Sequence, residues 1–158
     1  MTGLQETDVK EANVAVLCNH ARESGHTLTF GEPTSITKDG ISRYGRRVAL
    51  LTMMPAVPVD ITENASENCA YLLASGRWVE RLIPTGNGDQ HLIIACLYGY
   101  PGASQDRHDQ EYRDAKTRNE ALILAAAIRM DQFPNTPYYI TTDLKDDPAK
   151  SDTVCPPM

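Results

Sequence analysis

Two apolar runs with one helical pattern between them constrain this chain most. The runs "QHLIIACLYGY" (90–100) and "TPYYITTDL" (136–144) are rich in β-branched and aromatic residues, have strand length, and border turn-forming residues. Between them Tyr112, Ala115, Asn119, Leu122, Ile123, Ala126, Ala127 and Met130 mark one face of a long helix that ends before Pro134. An amphipathic helix must bury its apolar stripe against another element. The pattern therefore predicts α/β layering, with helices packed on a mixed sheet.

The rest of the chain supplies further elements. Val9, Ala12, Val16, Leu17, His20 and Ala21 fall at helical spacing over 8–24, with Gly25 as the stop. A short strand is expected at "HTLTF", then a polar loop through "GEPTSITKDG", then a strand at "RRVALLTMM" ended by prolines. Residues 61–68 read as loop. "CAYLLASGRWVERLI" and "QHLIIACLYGY" flank "PTGNGD", whose Asn87 and Gly88 accept positive φ, so a hairpin is expected there.

The chain has 158 residues, 41% hydrophobic and 23% charged, which suits one domain or part of a larger one. A net charge of −6 gives no long-range steering toward a polyanion unless a local patch supplies it. Arg43, Arg46, Arg47, Arg77 and Arg81 are the candidates for such a patch, and the expectation is that they are solvated loop and strand-edge charges. Cys18, Cys69, Cys96 and Cys155 show no metal-site spacing and read as reduced thiols of an intracellular, soluble protein. The start "MTGLQETDVK" is too polar for a signal peptide, and "VALLTMMPAVPV" is too short and too proline-broken to span a bilayer.

Three stretches put a polar group at or just beyond the end of an apolar strand: "LQET" with Glu6, "LYGYPG" with Tyr98, and "TTDLK" with Asp143. Rigid sheets commonly present active-site groups at such ends. In this order, with "RNEALILAAA" between the second and third, they resemble the endonuclease/exonuclease/phosphatase superfamily, which has the DNase I-like fold. The matching residues are Gln5-Glu6, Tyr98-Gly99-Tyr100-Pro101, Arg118-Asn119, and Thr142-Asp143-Leu144-Lys145 followed by Asp147-Pro148. The resemblance runs from Leu4 to about Ser151.

The resemblance implies a partial DNase I-like layered α/β sandwich over 1–151, with mixed, largely antiparallel sheets flanked by helices, and a frayed tail at 152–158. It also implies metal-dependent hydrolysis of a phosphodiester or phosphomonoester. Glu6 would bind Mg²⁺ or Mn²⁺, Tyr98 would hydrogen-bond the phosphate, and Asp143 would orient or deprotonate the attacking water. Read without the family, Glu6 is a helix-N-terminal acid, Tyr98 a core aromatic and Asp143 a turn residue. The substrate classes implied are nucleic acid, a phosphorylated small molecule or a lipid headgroup, with contacts sought at Tyr44, Arg46, Arg47 and the loop 101–113.

Departures from the family pattern point to impaired activity. Lys145 stands where the family has an asparagine, on the same strand face as Asp143. Its ammonium opposes a cation by about 4 kcal/mol per unit charge at about 4 Å and an effective dielectric of 20. Thr142 replaces a glycine, and Asp146 and Asp147 fit a solvated turn before Pro148. The family's early asparagine would lie before Met1 and its late Asp-His pair beyond Met158; His20, His26, His91 and His108 lack that context. The alternative expectation is a non-catalytic remnant or interaction domain, whose uncovered sheet would favour self-association.

Overall fold

The computed structural model describes residues 2–38, 41–53, 55–59, 67–85, 90–101 and 110–144. Sheet I contains β1 (Thr2–Lys10), β2 (Thr27–Phe30), β3 (Thr34–Lys38) and β4 (Ile41–Thr52). The long β4 pairs antiparallel with all three others, with β1 and β2 on its two sides and β3 along its first half. Sheet II has the order β5-β6-β7, formed by β5 (Trp78–Pro84), β6 (His91–Tyr98) and β7 (Tyr138–Asp143). β5 and β6 run antiparallel, whereas β6 and β7 are parallel. A parallel pair needs a long crossover, and α3 (Gln110–Asp131) supplies it.

Period-2 alternation along β6 divides the core in two. Cys96 and Tyr98 face sheet I and pack with Val48, Leu50 and Val79. Ala95 and Leu97 face the other way, onto Leu72 of α2 (Glu67–Ala74) and onto Leu122, Ala125 and Ala126 of α3. Burial on both faces explains why β6 reads as a continuous apolar run rather than an alternating one. The first helix, α1 (Glu11–Glu23), packs against β1, β2 and β4. The result is a partial layered α/β sandwich, with sheet I on one face of sheet II and α2 and α3 on the other.

The two sheets approach closely at Gly3. A Cβ there would lie 3.2 Å from both Cys96 Sγ and Thr141 Cβ, so a side chain would push β1 off sheet II.

Four sequence expectations need correction. "TSITK" is strand β3 rather than loop, its backbone pairing antiparallel with β4 from Thr34 opposite Gly45 to Lys38 opposite Ile41. The predicted first hairpin arm begins as helix. Residues 67–74 form α2, with Cys69 and Leu72 buried one helical turn apart, and Glu67 and Asn68 belong to it rather than to a loop. Asp8 to Lys10 are strand rather than helix, since Val9 and Lys10 pair with Arg46 and Gly45. On α3, Ala125 and Arg129 face inward, while Ala127 and Met130 are exposed.

The β5/β6 hairpin is present, closing at Pro84 and His91, and its tip at 86–89 lies outside the described residues. α1 ends at Glu23, with Gly25 at φ +75° as the stop.

Arg129 on α3 is fully buried, and an ion pair with Glu80 of β5 holds it. Its Nη2 and Nε donate to Glu80 Oε1 at 2.7 and 3.0 Å, and the Tyr138 hydroxyl donates to Glu80 Oε2 at 3.2 Å. This network ties α3 to β5 and β7 at the end of sheet II where β7 begins. The helix is thereby anchored against the sheet whose opposite end carries Tyr98 and Asp143.

Candidate active site

Tyr98 and Asp143 are the last register pair of the parallel β6/β7 ladder, so both stand at the carboxyl ends of their strands. Loops after such strand ends line the crevices of layered α/β folds. The Gly99 amide donates to Asp143 O at 2.8 Å and extends the pairing one residue past Tyr98. Tyr98 is 1% exposed, with its ring in the layer between the sheets; Asp143 is half-buried. The start of β5 lies at the same end, where Arg77 O accepts the Tyr98 N–H at 2.9 Å.

β1 is carried toward that end one residue at a time. Gly3 lies against Thr141 and Cys96, the Cys96 thiol donates to Leu4 O at 3.9 Å, and the Gln5 amide donates to Leu97 O at 3.3 Å. The next backbone position is Glu6, whose side chain lies outside the described residues. The β1/β4 register breaks between Gln5 and Val9, and Asp8 takes φ 40°, a conformation aspartate tolerates better than most residues. The Thr7 hydroxyl donates to Arg46 O at 2.6 Å and pins the irregular segment. Glu6 thus leaves the regular ladder where β1 meets the Tyr98 end.

Asn119 holds the two strand ends together. It is fully buried on α3, where its Oδ1 accepts the Tyr100 N–H at 2.6 Å and its Nδ2 donates to Tyr100 O at 3.3 Å and Leu144 O at 2.8 Å. One amide side chain therefore joins the segment after β6 to the segment after β7. Gly99 is required at this crossing, because a Cβ there would come within 2.7 Å of Leu144 Cα.

Beside this strand end lies a cavity of about 830 Å³ lined by, among others, Thr34, Arg47, Arg77, Tyr100, Asp114 and Arg118. Arg77 is 5% exposed rather than solvated, which corrects the sequence expectation for it. Its Nη1 donates to Gly99 O at 2.5 Å and more weakly to Tyr98 O at 3.4 Å, while its guanidinium stacks 3.9 Å from the Tyr100 ring. Burial, and after it the positive charge of Arg47, push the Arg77 pKa below the usual arginine value. Arg118 covers the Tyr100 ring at 5.3 Å. Burial raises the pKa of the nearby Tyr71 phenol, with Tyr100 adding to the shift.

Of the other arginines singled out from the sequence, Arg46 is engaged. Its Nε and Nη2 each donate to Glu11 at 2.8 Å, and its Nη1 donates to Gly31 O at 2.7 Å. Arg81 is half-buried and bonds the Glu80 carbonyl. Tyr44 is 70% exposed on β4. The side chain of Arg43, and Lys145, Asp146, Asp147, His108 and Cys155, lie outside the described residues. Cys69 and Cys96 are buried and Cys18 half-buried, and none of the three is in a disulfide among the described residues.

Among the described residues no three His, Cys, Asp or Glu side chains gather as a metal-binding group. Mg²⁺ keeps several waters and is commonly held by one or two carboxylates plus substrate phosphates. The Asp143 carboxylate is a hard-oxygen donor of that kind.

Sequence reasoning singled out Tyr98, Asp143 and Asn119 but not the hydrogen bonds that Asn119 and Arg77 make. An amide in the apolar stripe of α3 was the available signal, since a buried amide must be hydrogen-bonded. Nothing in "SGRWV" signals burial of Arg77.

No protein-family model and no curated protein matches the sequence. Among the described residues no helix is long and apolar enough to cross a membrane. A solved structure does match: the human Nocturnin catalytic domain with bound sulfate anion, at 15% identity and a TM-score of 0.56. The match covers 96% of this chain and 53% of that one, so the chain spans about half the length of its structural neighbour and shares its fold.

Proposed function

We propose that this chain carries a metal-dependent phosphoesterase site directed at a phosphodiester, with activity attenuated by Lys145. The observation that supports this most is the register pairing of Tyr98 with Asp143 at one sheet end, with β1 bringing Glu6 toward the same end. The neighbour that shares the fold was determined with sulfate bound, and sulfate is a tetrahedral oxyanion like phosphate.

In this reading the Asp143 carboxylate accepts a hydrogen bond from a water, aims it at phosphorus and takes its proton as the new P–O bond forms. The ester P–O bond opposite breaks, and the leaving oxygen is protonated from solvent. The Tyr98 phenol donates to a phosphate oxygen and limits its rotation. Glu6 would hold the Mg²⁺ or Mn²⁺, which when bound supplies charge stabilisation to the phosphoryl oxygens. On this reading a Lys145 ammonium close to those carboxylates would compete with the cation and weaken its site.

A second reading, a non-catalytic remnant of the fold, draws support from the 1% exposure of Tyr98. A tyrosine that contacts phosphate needs a reachable hydroxyl.

Calorimetric Mn²⁺ titration with plasmid cleavage in the same samples tests both readings on wild type, Lys145→Asn and Asp143→Asn. The enzyme reading expects Lys145→Asn to bind Mn²⁺ more tightly and cleave faster, and Asp143→Asn to be inert. If neither wild type nor Lys145→Asn binds metal or cleaves, the remnant reading stands instead.

A further inference from the structure

We infer that β7 is the interface of a two-fold dimer, in which it pairs antiparallel with the same strand of a second copy of this chain, centred on Ile140. β7 is the last strand of sheet II, so one of its sides is an open edge. The Ile93 N–H donates to Pro137 O at 2.9 Å and the Gly99 N–H to Asp143 O at 2.8 Å, so the odd-numbered positions turn their backbone groups toward β6. Alternation then turns the N–H and C=O of Tyr138, Ile140 and Thr142 outward, where they meet no partner among the described residues. A row of such groups is a template for another strand.

Among the described strands this edge is the unguarded one. β1 carries Glu6, Asp8 and Lys10 and breaks register between Gln5 and Val9. β5 carries Glu80, Arg81 and Pro84, and Val57 bridges to Leu82 along its free side. β2 has four residues, and β3 has five and ends on Lys38. Positions 138–142, "YYITT", hold no charge, no proline and no bulge. Charges, prolines, bulges and short length are the means by which edges are ordinarily kept from pairing.

The strand is complementary to itself. Centred on Ile140, antiparallel pairing sets Tyr138 against Thr142 of the second copy and Ile140 against its own counterpart, so all three outward positions exchange both hydrogen bonds. Tyr139, 53% exposed, falls opposite Thr141 of the second copy, and an aromatic ring beside a β-branched residue stabilises a ladder. The two Asp143 carboxylates end at opposite ends of the ladder, about 20 Å apart along it, so the charges that close each strand do not meet. A two-fold contact of this kind closes after two copies. The pairing needs neither metal nor substrate, so it stands or falls apart from the hydrolytic reading.

The test is sedimentation velocity on the full chain from about 1 μM to about 1 mM, with residue-resolved amide exchange on the wild type at both ends of that range. Wild type is compared with Thr142→Pro, Tyr139→Lys and Val16→Lys. Proline at an edge position whose N–H faces solvent leaves the β6 pairing intact and removes one hydrogen bond per copy from the interface. Lysine at position 139 sets two like charges about 7–8 Å apart on the diagonal of the ladder. Val16, 54% exposed on α1, is the control.

Wild type should pass from monomer to dimer, and the amides of Tyr138, Ile140 and Thr142 should exchange slowly in the dimer and fast on dilution. Those of Tyr139 and Thr141 should be slow at both concentrations. Each edge variant should raise the dimer dissociation constant about tenfold or more, and Val16→Lys should stay within about twofold. A wild type that stays monomeric, or grows past the dimer, overturns the interface. So does a dimer in which the three outward amides exchange fast, or one that both edge variants form as readily as wild type. Should an edge variant lose its far-UV dichroism, the wild-type exchange pattern decides alone.

Discussion

Replacing Asn119 with alanine removes all three hydrogen bonds that join the ends of β6 and β7. The lost partners are Tyr100 N–H, Tyr100 O and Leu144 O, at 2.6, 3.3 and 2.8 Å, around a side chain with no exposed surface. Each bond contributes about 0.5–1.5 kcal/mol net, and groups left buried without water cost more, so about 3 kcal/mol is expected in all. That is a large share of the roughly 5–15 kcal/mol that holds a domain folded. With a urea m-value of about 2 kcal/mol/M the midpoint should fall by about 1.5 M.

Asn119→Asp sharpens the test, because it keeps the shape and the acceptor for Tyr100 N–H. It turns an acceptor toward the Tyr100 and Leu144 carbonyls, and it should cost at least as much as alanine. Faster amide exchange at Tyr100 should accompany both. A shift below about 0.5 M for alanine, with aspartate no worse, would refute the view that this amide organises the site.

Arg129→Met should cost about 3–5 kcal/mol by leaving Glu80 buried and unpaired, whereas Glu80→Leu/Arg129→Met should recover most of that in the same denaturation assay; equal losses in both would sink the ion-pair account. Stability should also fall in alkali. Burial raises the pKa of the Cys96 thiol, and burial followed by the charge of Glu80 raises that of the Tyr138 phenol, so the unfolded chain ionises first. The stabilisation is intact below the unfolded thiol value of about 8.5 and is lost as pH rises through the folded values, with Tyr138 contributing above about 10. Urea midpoints from pH 7 to 10.5 should decline accordingly, and less steeply at the upper end in Tyr138→Phe. A flat profile contradicts the shifts.

Local pattern was enough for the elements whose burial is one-sided or complete. The run at 91–98 and the stripe on α3 announce themselves because a strand covered on both faces and a helix covered on one leave different periods in the sequence. The same holds for Tyr98 and Asp143, since a polar group ending an apolar strand is visible in one dimension. α2 and the strand character of Asp8 to Lys10 depended on partners far along the chain, α3 and β4, whereas β3 pairs with the neighbouring β4, Lys38 opposite Ile41, in a segment whose polar residues read as loop.

Distance in sequence hid the rest of the site for the same reason. Asn119 meets Leu144 across 25 positions, Arg77 meets Gly99 across 22, and Arg47 joins Arg77 and Arg118 only after three elements have packed. Periodicity reports how each segment divides between core and water. Which segments then share a wall, and which charges end up facing one cavity, is decided by the packing of the whole chain, because hydrogen bonds and fields act through space.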